Sequence, residues 1–130
     1  VDPEDVKRFL SLCQPDALAI GIGNAHGYYR GKPDIHLDVL AAVRKFTDIP
    51  LVLHGCTGME EGIVRQAIRL GVAKINFGTE IRYKYVQHYQ EGLEKLEHQG
   101  HSWKLSQYAS DALVEDVKKI IQLSGSAGKV

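Results

Sequence analysis

Apolar positions along this 130-residue chain follow two alternating patterns. In residues 2–13, Val6, Phe9, Leu10 and Cys13 recur at helical spacing among charged neighbours, which predicts a short amphipathic helix. Asp2 suits its N-cap, Pro3 its first position, and Glu4 and Asp5 its first turn. Gln14-Pro15-Asp16 stops it. Ala17-Leu-Ala-Ile-Gly-Ile22 is apolar without alternation, which predicts a strand buried on both faces of a parallel sheet. A Gly- and Tyr-containing loop, Gly23 to Gly31, and Lys32-Pro33-Asp34 lead to a helix over about His36 to Phe46. Its expected buried face is Val39, Ala42, Val43 and Phe46.

Asp48-Ile-Pro50 reads as a turn and Leu51 to His54 as the second strand. Glu60 to Leu70 is helical, with Ile63, Val64, Ala67, Ile68 and Leu70 apolar and Gly71 as its stop. Val72-Ala-Lys-Ile-Asn76 is the third strand. A long helix opens at Thr79 and runs to about His98, and Gly100 ends it. Trp103 to Tyr108 reads as less regular. Ser110 or Asp111 then caps a last helix to about Leu123, with Leu113, Val114, Val117, Ile120 and Ile121 on one face, before the Gly/Ser tail Ser124-Gly-Ser-Ala-Gly128. Strands separated by single helices predict an α/β fold with parallel pairing. In such folds functional groups gather at the carboxyl ends of the strands.

Three strand ends carry the polar residues to look at: Asn24-Ala-His-Gly27, His54-Gly-Cys-Thr-Gly58 and Asn76-Phe-Gly-Thr79. His26 and His54 are about 30 residues apart, one βαβ repeat. On neighbouring strands about 4.8 Å apart they reach the same rim. Two neutral imidazoles there suit Zn²⁺, although a catalytic zinc wants three protein ligands and an open position; the alternative is two hydrogen-bonded loop histidines. The turns Gly55-Cys-Thr-Gly58 and Asn76-Phe-Gly-Thr79 each precede a helix, and backbone N–H groups at a helix start suit an anion. Thr57 and Thr79 would serve equally well as ordinary N-caps. Cys56 reads as a small packing residue rather than a nucleophile. Tyr28, Tyr29 and Arg30 make a polar-aromatic loop, either a closing flap or plain surface. Tyr83, Tyr85 and Tyr89 read as a packing or subunit-contact surface, and His36, His88, His98 and His101 as solvated.

Composition narrows the function classes. Sixteen basic and sixteen acidic residues cancel to zero formal charge and are interspersed, which argues against nucleic acid and polybasic membrane surfaces as partners. No apolar run approaches the roughly 20 residues of a membrane span. The two cysteines, Cys13 and Cys56, form no CxxC pair, and a reducing cytoplasm fits best. Val1-Asp-Pro-Glu-Asp5 reads as the start of a piece cut from a longer chain.

Together these residues resemble the class II, zinc-dependent ketose-bisphosphate aldolases, the fructose- and tagatose-bisphosphate aldolases. The segments that carry the resemblance are Gly23-Asn-Ala-His-Gly27 with Gly31-Lys-Pro33, Pro50-Leu-Val-Leu-His-Gly55, Gly71-Val-Ala-Lys-Ile-Asn76 with Gly78-Thr-Glu80, and Gly125-Ser-Ala-Gly128. They run along nearly the whole chain. The resemblance implies the C-terminal part of a (β/α)8 TIM barrel, about three βα units plus C-terminal helices. Residues 1–130 would then form a partial barrel domain, with the N-terminal half missing from the chain. It implies His26 and His54 as two of three zinc ligands. It also implies Gly27, Gly55, Cys56, Thr57, Asn76, Phe77, Gly78 and Thr79 around dihydroxyacetone phosphate, with Asn76 assisting near the metal. The implied cofactor is Zn²⁺, with a monovalent cation as a further candidate.

The implied activity is a carbon–carbon lyase of carbohydrate metabolism and glycolysis. It cleaves fructose or tagatose 1,6-bisphosphate reversibly to dihydroxyacetone phosphate and glyceraldehyde 3-phosphate, in a homo-oligomer of at least two subunits. The chain departs from the pattern at Cys56, where Gly or Ala is usual, and at Arg30, where Lys is common. No residue matches the family's third zinc histidine or its acid/base aspartate, so this segment alone is expected to be inactive. Two other readings remain: a metal-free phosphate-binding α/β module, and a non-catalytic half-barrel that serves association.

Overall fold

The computed structural model describes residues 1–97 and 100–129. These fall into two compact units, Val1–Phe77 and Gly78–Val130. The expected end of the fourth helix at His98, and the expected solvation of that histidine, lie outside the described residues.

The first unit is built on a parallel sheet of order β1-β2-β3, with β1 at Leu18–Ala19, β2 at Leu51–Leu53 and β3 at Val72–Ile75. Leu18 pairs with Leu51 and Ala19 with Val52. Leu51 pairs with Val72 and Leu53 with Ile75, across an irregularity between Leu51 and Val52. All of β2 is buried, as its unbroken apolar run predicts for a central strand. Helices α1 (Pro3–Leu12), α2 (Leu37–Arg44) and α3 (Glu61–Arg69) complete the unit. Leu40, Val43, Val64 and Ala67 join Leu51, Leu53 and Val72 in the core.

The Asp2 carboxylate accepts from the Glu4 amide at 2.9 Å, and Pro3 opens α1 as the sequence predicts. Gly71 (φ +98°) ends α3 with its amide on the Ile68 carbonyl at 3.0 Å. Three expectations are corrected here. β1 is not buried on both faces: Ile20 and Ile22 are buried while Ala19 and Gly21 are exposed. As the outermost strand it has a neighbour on one edge only, and small residues on the open face hid the alternation. In α1 only Val6 is buried, while Phe9 is 46% exposed and Cys13 is exposed. In α2 the buried pair is Leu40 and Val43, with Val39 and Ala42 half-buried and Phe46 exposed beyond the helix end.

The second unit contains α4 (Thr79–Lys95) and α5 (Ser102–Ser124), packed along one another. Here too the sequence expectation is corrected, because Trp103 to Tyr108 is regular helix within a continuous 23-residue α5. Leu105 and Ala109, one turn apart, are buried, and Gly92 of α4 lets Tyr108 approach so closely that an added Cβ would lie 3.0 Å from its ring. Packing on α4 thus holds the turn that local signals left irregular.

His88 is the other correction. Its side chain is only 14% exposed, and it lies between Glu91 at 3.2 Å and Asp116 at 2.7 Å. Only the folded chain brings Asp116 of α5 beside it.

Candidate functional site

In a parallel sheet the strands end on one rim, and the first unit places His26, His54 and Asn76 there, after β1, β2 and β3 respectively. The His26 and His54 rings meet edge to face, with centroids 5.6 Å apart and planes at 72°. His26 is exposed and His54 half-buried, so solvent or a ligand reaches the pair from one side. Asn76 completes the rim. Its Nδ2 lies 3.2 Å from His54 Nδ1 and 3.3 Å from Nε2. An atom nearly equidistant from both nitrogens cannot sit on both lone-pair directions, so the contact orients the ring without saturating it. The Lys74 ammonium donates to Asn76 Oδ1 and thereby fixes which end of the amide faces the imidazole.

Backbone approach sets the floor of the site. Gly55 has φ +62°, and a Cβ there would stand 2.4 Å from the Ala25 carbonyl oxygen. That position therefore requires glycine twice over, by conformation and by space. Gly27 also has positive φ (+94°), but faces open space.

Cys56 and Thr57 are both buried in the turn after His54. Burial pushes the Cys56 thiol up to about 11, so it stays protonated at neutral pH. Its Sγ lies 3.6 Å from the His54 carbonyl, which fits a packing residue. Both cysteines are free thiols.

The reading of Thr57 and Thr79 as N-caps is corrected. The cap of α3 is Glu60 and that of α4 is Gly78, neither with a capping side-chain bond. Thr57 lies three residues before the first cap and Thr79 is the first residue of α4. Phe77 ends the first unit, and Gly78 and Thr79 open the second. His36 at the start of α2 is exposed and 3.3 Å from Asp34, and His101 is exposed before α5.

Two residues of the rim, Asn24 of the first strand end and Tyr29 of the polar-aromatic loop, take roles that the sequence does not show. Asn24 Nδ2 donates to the His54 carbonyl at 2.8 Å. The Tyr29 hydroxyl donates to the Gly55 carbonyl at 2.7 Å. Their nearness to His26 in the sequence was the available signal, but nothing local shows which carbonyl either reaches. Among the described residues no group of three or more His, Cys, Asp and Glu side chains is arranged to hold a metal ion. What the rim offers is a pair of imidazoles and an amide.

The comparisons with known proteins agree with this architecture. The profile described as fructose-bisphosphate aldolase class-II matches residues 1–129. The chain belongs to the class II fructose-bisphosphate aldolase family. It is similar to the YdjI aldolase of Escherichia coli K12, with 32% identity and a TM-score of 0.80, covering 99% of this chain and 46% of that one. A putative fructose-1,6-biphosphate aldolase from Coccidioides immitis matches at 27% identity and a TM-score of 0.84, covering 98% and 44%. A fructose-bisphosphate aldolase from Campylobacter jejuni shares the fold at 18% identity and a TM-score of 0.78, covering 96% and 45%. The chain thus spans less than half the length of these solved relatives, and its α/β fold is a portion of a (β/α)8 barrel. No helix of the described residues is long and apolar enough to cross a membrane.

Proposed function

We propose that this chain is the C-terminal, partial-barrel portion of a metal-dependent aldolase. The reaction is reversible cleavage of a ketose 1,6-bisphosphate, fructose or tagatose, to dihydroxyacetone phosphate and glyceraldehyde 3-phosphate. The observation that carries the reading is the His26–His54 pair at the rim of a sheet whose chain belongs to the class II family. Two imidazoles that share one tetrahedral zinc through bonds of about 2.0–2.1 Å have ring centroids about 5 Å apart. The 5.6 Å found here lies close to that spacing, and the donor set of neutral nitrogen ligands suits zinc.

His26 and His54 would hold the metal, with its remaining protein ligand and the acid/base carboxylate supplied from outside this segment. When bound, the metal supplies Lewis acidity at the substrate carbonyl. Asn76, its Oδ1 engaged by Lys74, offers Nδ2–H to a substrate oxygen beside His54, where negative charge develops as the carbon–carbon bond breaks. Gly55, by keeping a side chain off the Ala25 carbonyl, lets the turn Gly55-Cys-Thr-Gly58 lie close under the site. The assignment of Gly27, Gly55, Cys56, Thr57, Phe77, Gly78 and Thr79 to the phosphate-bearing half of the substrate rests on the family resemblance and on the anion preference of glycine turns.

The test is zinc content and aldol cleavage measured together on the longer protein that carries this segment. We expect stoichiometric zinc and cleavage in the wild type, both lost in His54→Ala while the fold is retained. A protein that binds phosphorylated sugars but no zinc would overturn the aldolase reading in favour of a metal-free phosphate-binding module.

A further inference from the structure

The sheet ladder does not reach the histidines. Regular β1–β2 pairing ends at Ala19 and Val52, and the last backbone bond between the two segments along the ladder is Ile20 N–H to the Val52 carbonyl at 3.3 Å. His26 lies six residues farther on, in the loop after β1, and yet stands against His54. Something other than the ladder must hold it there.

Two side chains bracket His26. Asn24, two residues before it, accepts from the Ile22 amide at 2.7 Å through Oδ1 and donates to the His54 carbonyl at 2.8 Å through Nδ2. Tyr29, three residues after it, accepts from the Ala25 amide at 3.3 Å and donates to the Gly55 carbonyl at 2.7 Å through the same hydroxyl. Each side chain therefore ties the His26 loop to itself and to one of two consecutive carbonyls of the His54 strand end. Between the two ties, Gly55 rests against the Ala25 backbone, with no room for a Cβ. A Cβ added at Gly58 would lie 3.9 Å from the Tyr29 ring, so a larger residue there would reach it.

We propose that Asn24 and Tyr29 are positioning residues that form a two-point clasp fixing the His26 imidazole against that of His54. The role assigned to the clasp rests on the reading of that pair as metal ligands. Neither side chain needs to touch metal or substrate. They act through the ring separation, much as groups behind a metal ligand commonly change affinity by about 10–100-fold when removed.

Tyr29→Phe keeps the ring and removes only the hydroxyl bonds. Asn24→Asp keeps the acceptor for Ile22 and removes the donor to His54. Two readouts are needed, both on the longer protein that carries this segment. One is the nuclear Overhauser contact between the His26 and His54 rings in the metal-free protein. The other is Co²⁺ affinity together with the visible absorption of bound Co²⁺, which reports ligand geometry. The wild type should show the ring contact and a tetrahedral Co²⁺ spectrum. Each variant should retain its fold, weaken the ring contact, lower Co²⁺ affinity by about 10–100-fold and alter the spectrum.

Unchanged ring contact and affinity in both folded variants would overturn the proposal. A wild type that binds no Co²⁺ would sink the metal reading alone. The clasp would then stand if the ring contact weakens in the variants and fall if it persists. Should one variant not fold, the other decides.

Discussion

At the scale of single residues, the turn after β2 is tightly constrained. Gly55→Ala would put a Cβ into a backbone carbonyl at positive φ, and nothing there is the yielding end of a flexible side chain. We expect it to cost about 1–3 kcal/mol of stability, read as a fall in the thermal midpoint. Gly27→Ala meets open space and should cost less, through φ alone. A result in which the two substitutions cost the same would show that the Ala25–Gly55 contact carries no stability. The neighbouring thiol gives a second test. Cys56 is buried with its pKa raised to about 11, whereas Cys13 is exposed. Iodoacetamide near pH 8 should modify Cys13 and spare Cys56 until the chain unfolds. Rapid labelling of Cys56 in the folded chain would contradict its role in packing.

At the scale of elements, α4 and α5 are joined by an apolar seam and by polar contacts, His88 with Asp116 and Lys95 with Tyr108. His88 of α4 lies between Glu91 and Asp116, and the hydrogen bond to Asp116 leads the effects that raise its pKa above the usual 6.5. That bond also leads the effects that lower Asp116, and the separate His88–Glu91 hydrogen bond leads those that lower Glu91, with Lys84 and Lys119 also favouring the Asp116 carboxylate and Lys95 the Glu91 one. The signs follow from linkage. The raised histidine contributes stability that is full below about pH 6.5 and is lost as pH rises through its folded pKa. The two lowered carboxylates contribute stability that is present above their ordinary values and is lost as pH falls through their folded ones. The helix pair should therefore be firmest between about pH 4.5 and 6.5. Asp116→Asn should bring the His88 titration midpoint, followed by its ring proton resonances, back toward the ordinary value. An unmoved midpoint would mean that the pair does not form. On the apolar side Leu105 is buried, and Leu105→Ala should cost about 2–5 kcal/mol. That loss should register in helicity at 222 nm, since Leu105 holds the first turns of α5.

At the scale of the whole molecule, the first unit has a three-stranded sheet in which β1 and β3 are both outermost. Ala19, Gly21, Ala73 and Lys74 are exposed along those two segments, and Phe9 and Leu12 of α1 are exposed as well, Leu12 by 79%. Open parallel edges and exposed apolar side chains favour association. The 130-residue chain by itself is expected to elute above its monomer mass in size-exclusion chromatography. Mixing it with the remaining part of a family barrel should shift it to a discrete smaller complex. A monodisperse monomer at high concentration would show that these faces are stable in water.

The sequence by itself determined the order of elements, the parallel sheet and the identity of the rim. Each follows from local physics: unbroken apolar runs for Leu51–Leu53, helical spacing around Val64 and Ala67, and glycine at the α3 stop. It also named His26, His54 and Asn76, because residues that end successive parallel strands must meet at one edge. Contacts between residues far apart in the chain were beyond it. Only folding shows that Ala19 and Gly21 face outward, that Leu105 and Ala109 carry a helix through Trp103–Tyr108, and that His88 finds Asp116. Likewise, the separation of the two imidazoles is settled where Asn24 and Tyr29 reach the carbonyls of His54 and Gly55. Those bonds span 30 and 26 residues of chain, and spacing that sets the strand ends side by side does not show which carbonyl a given side chain reaches.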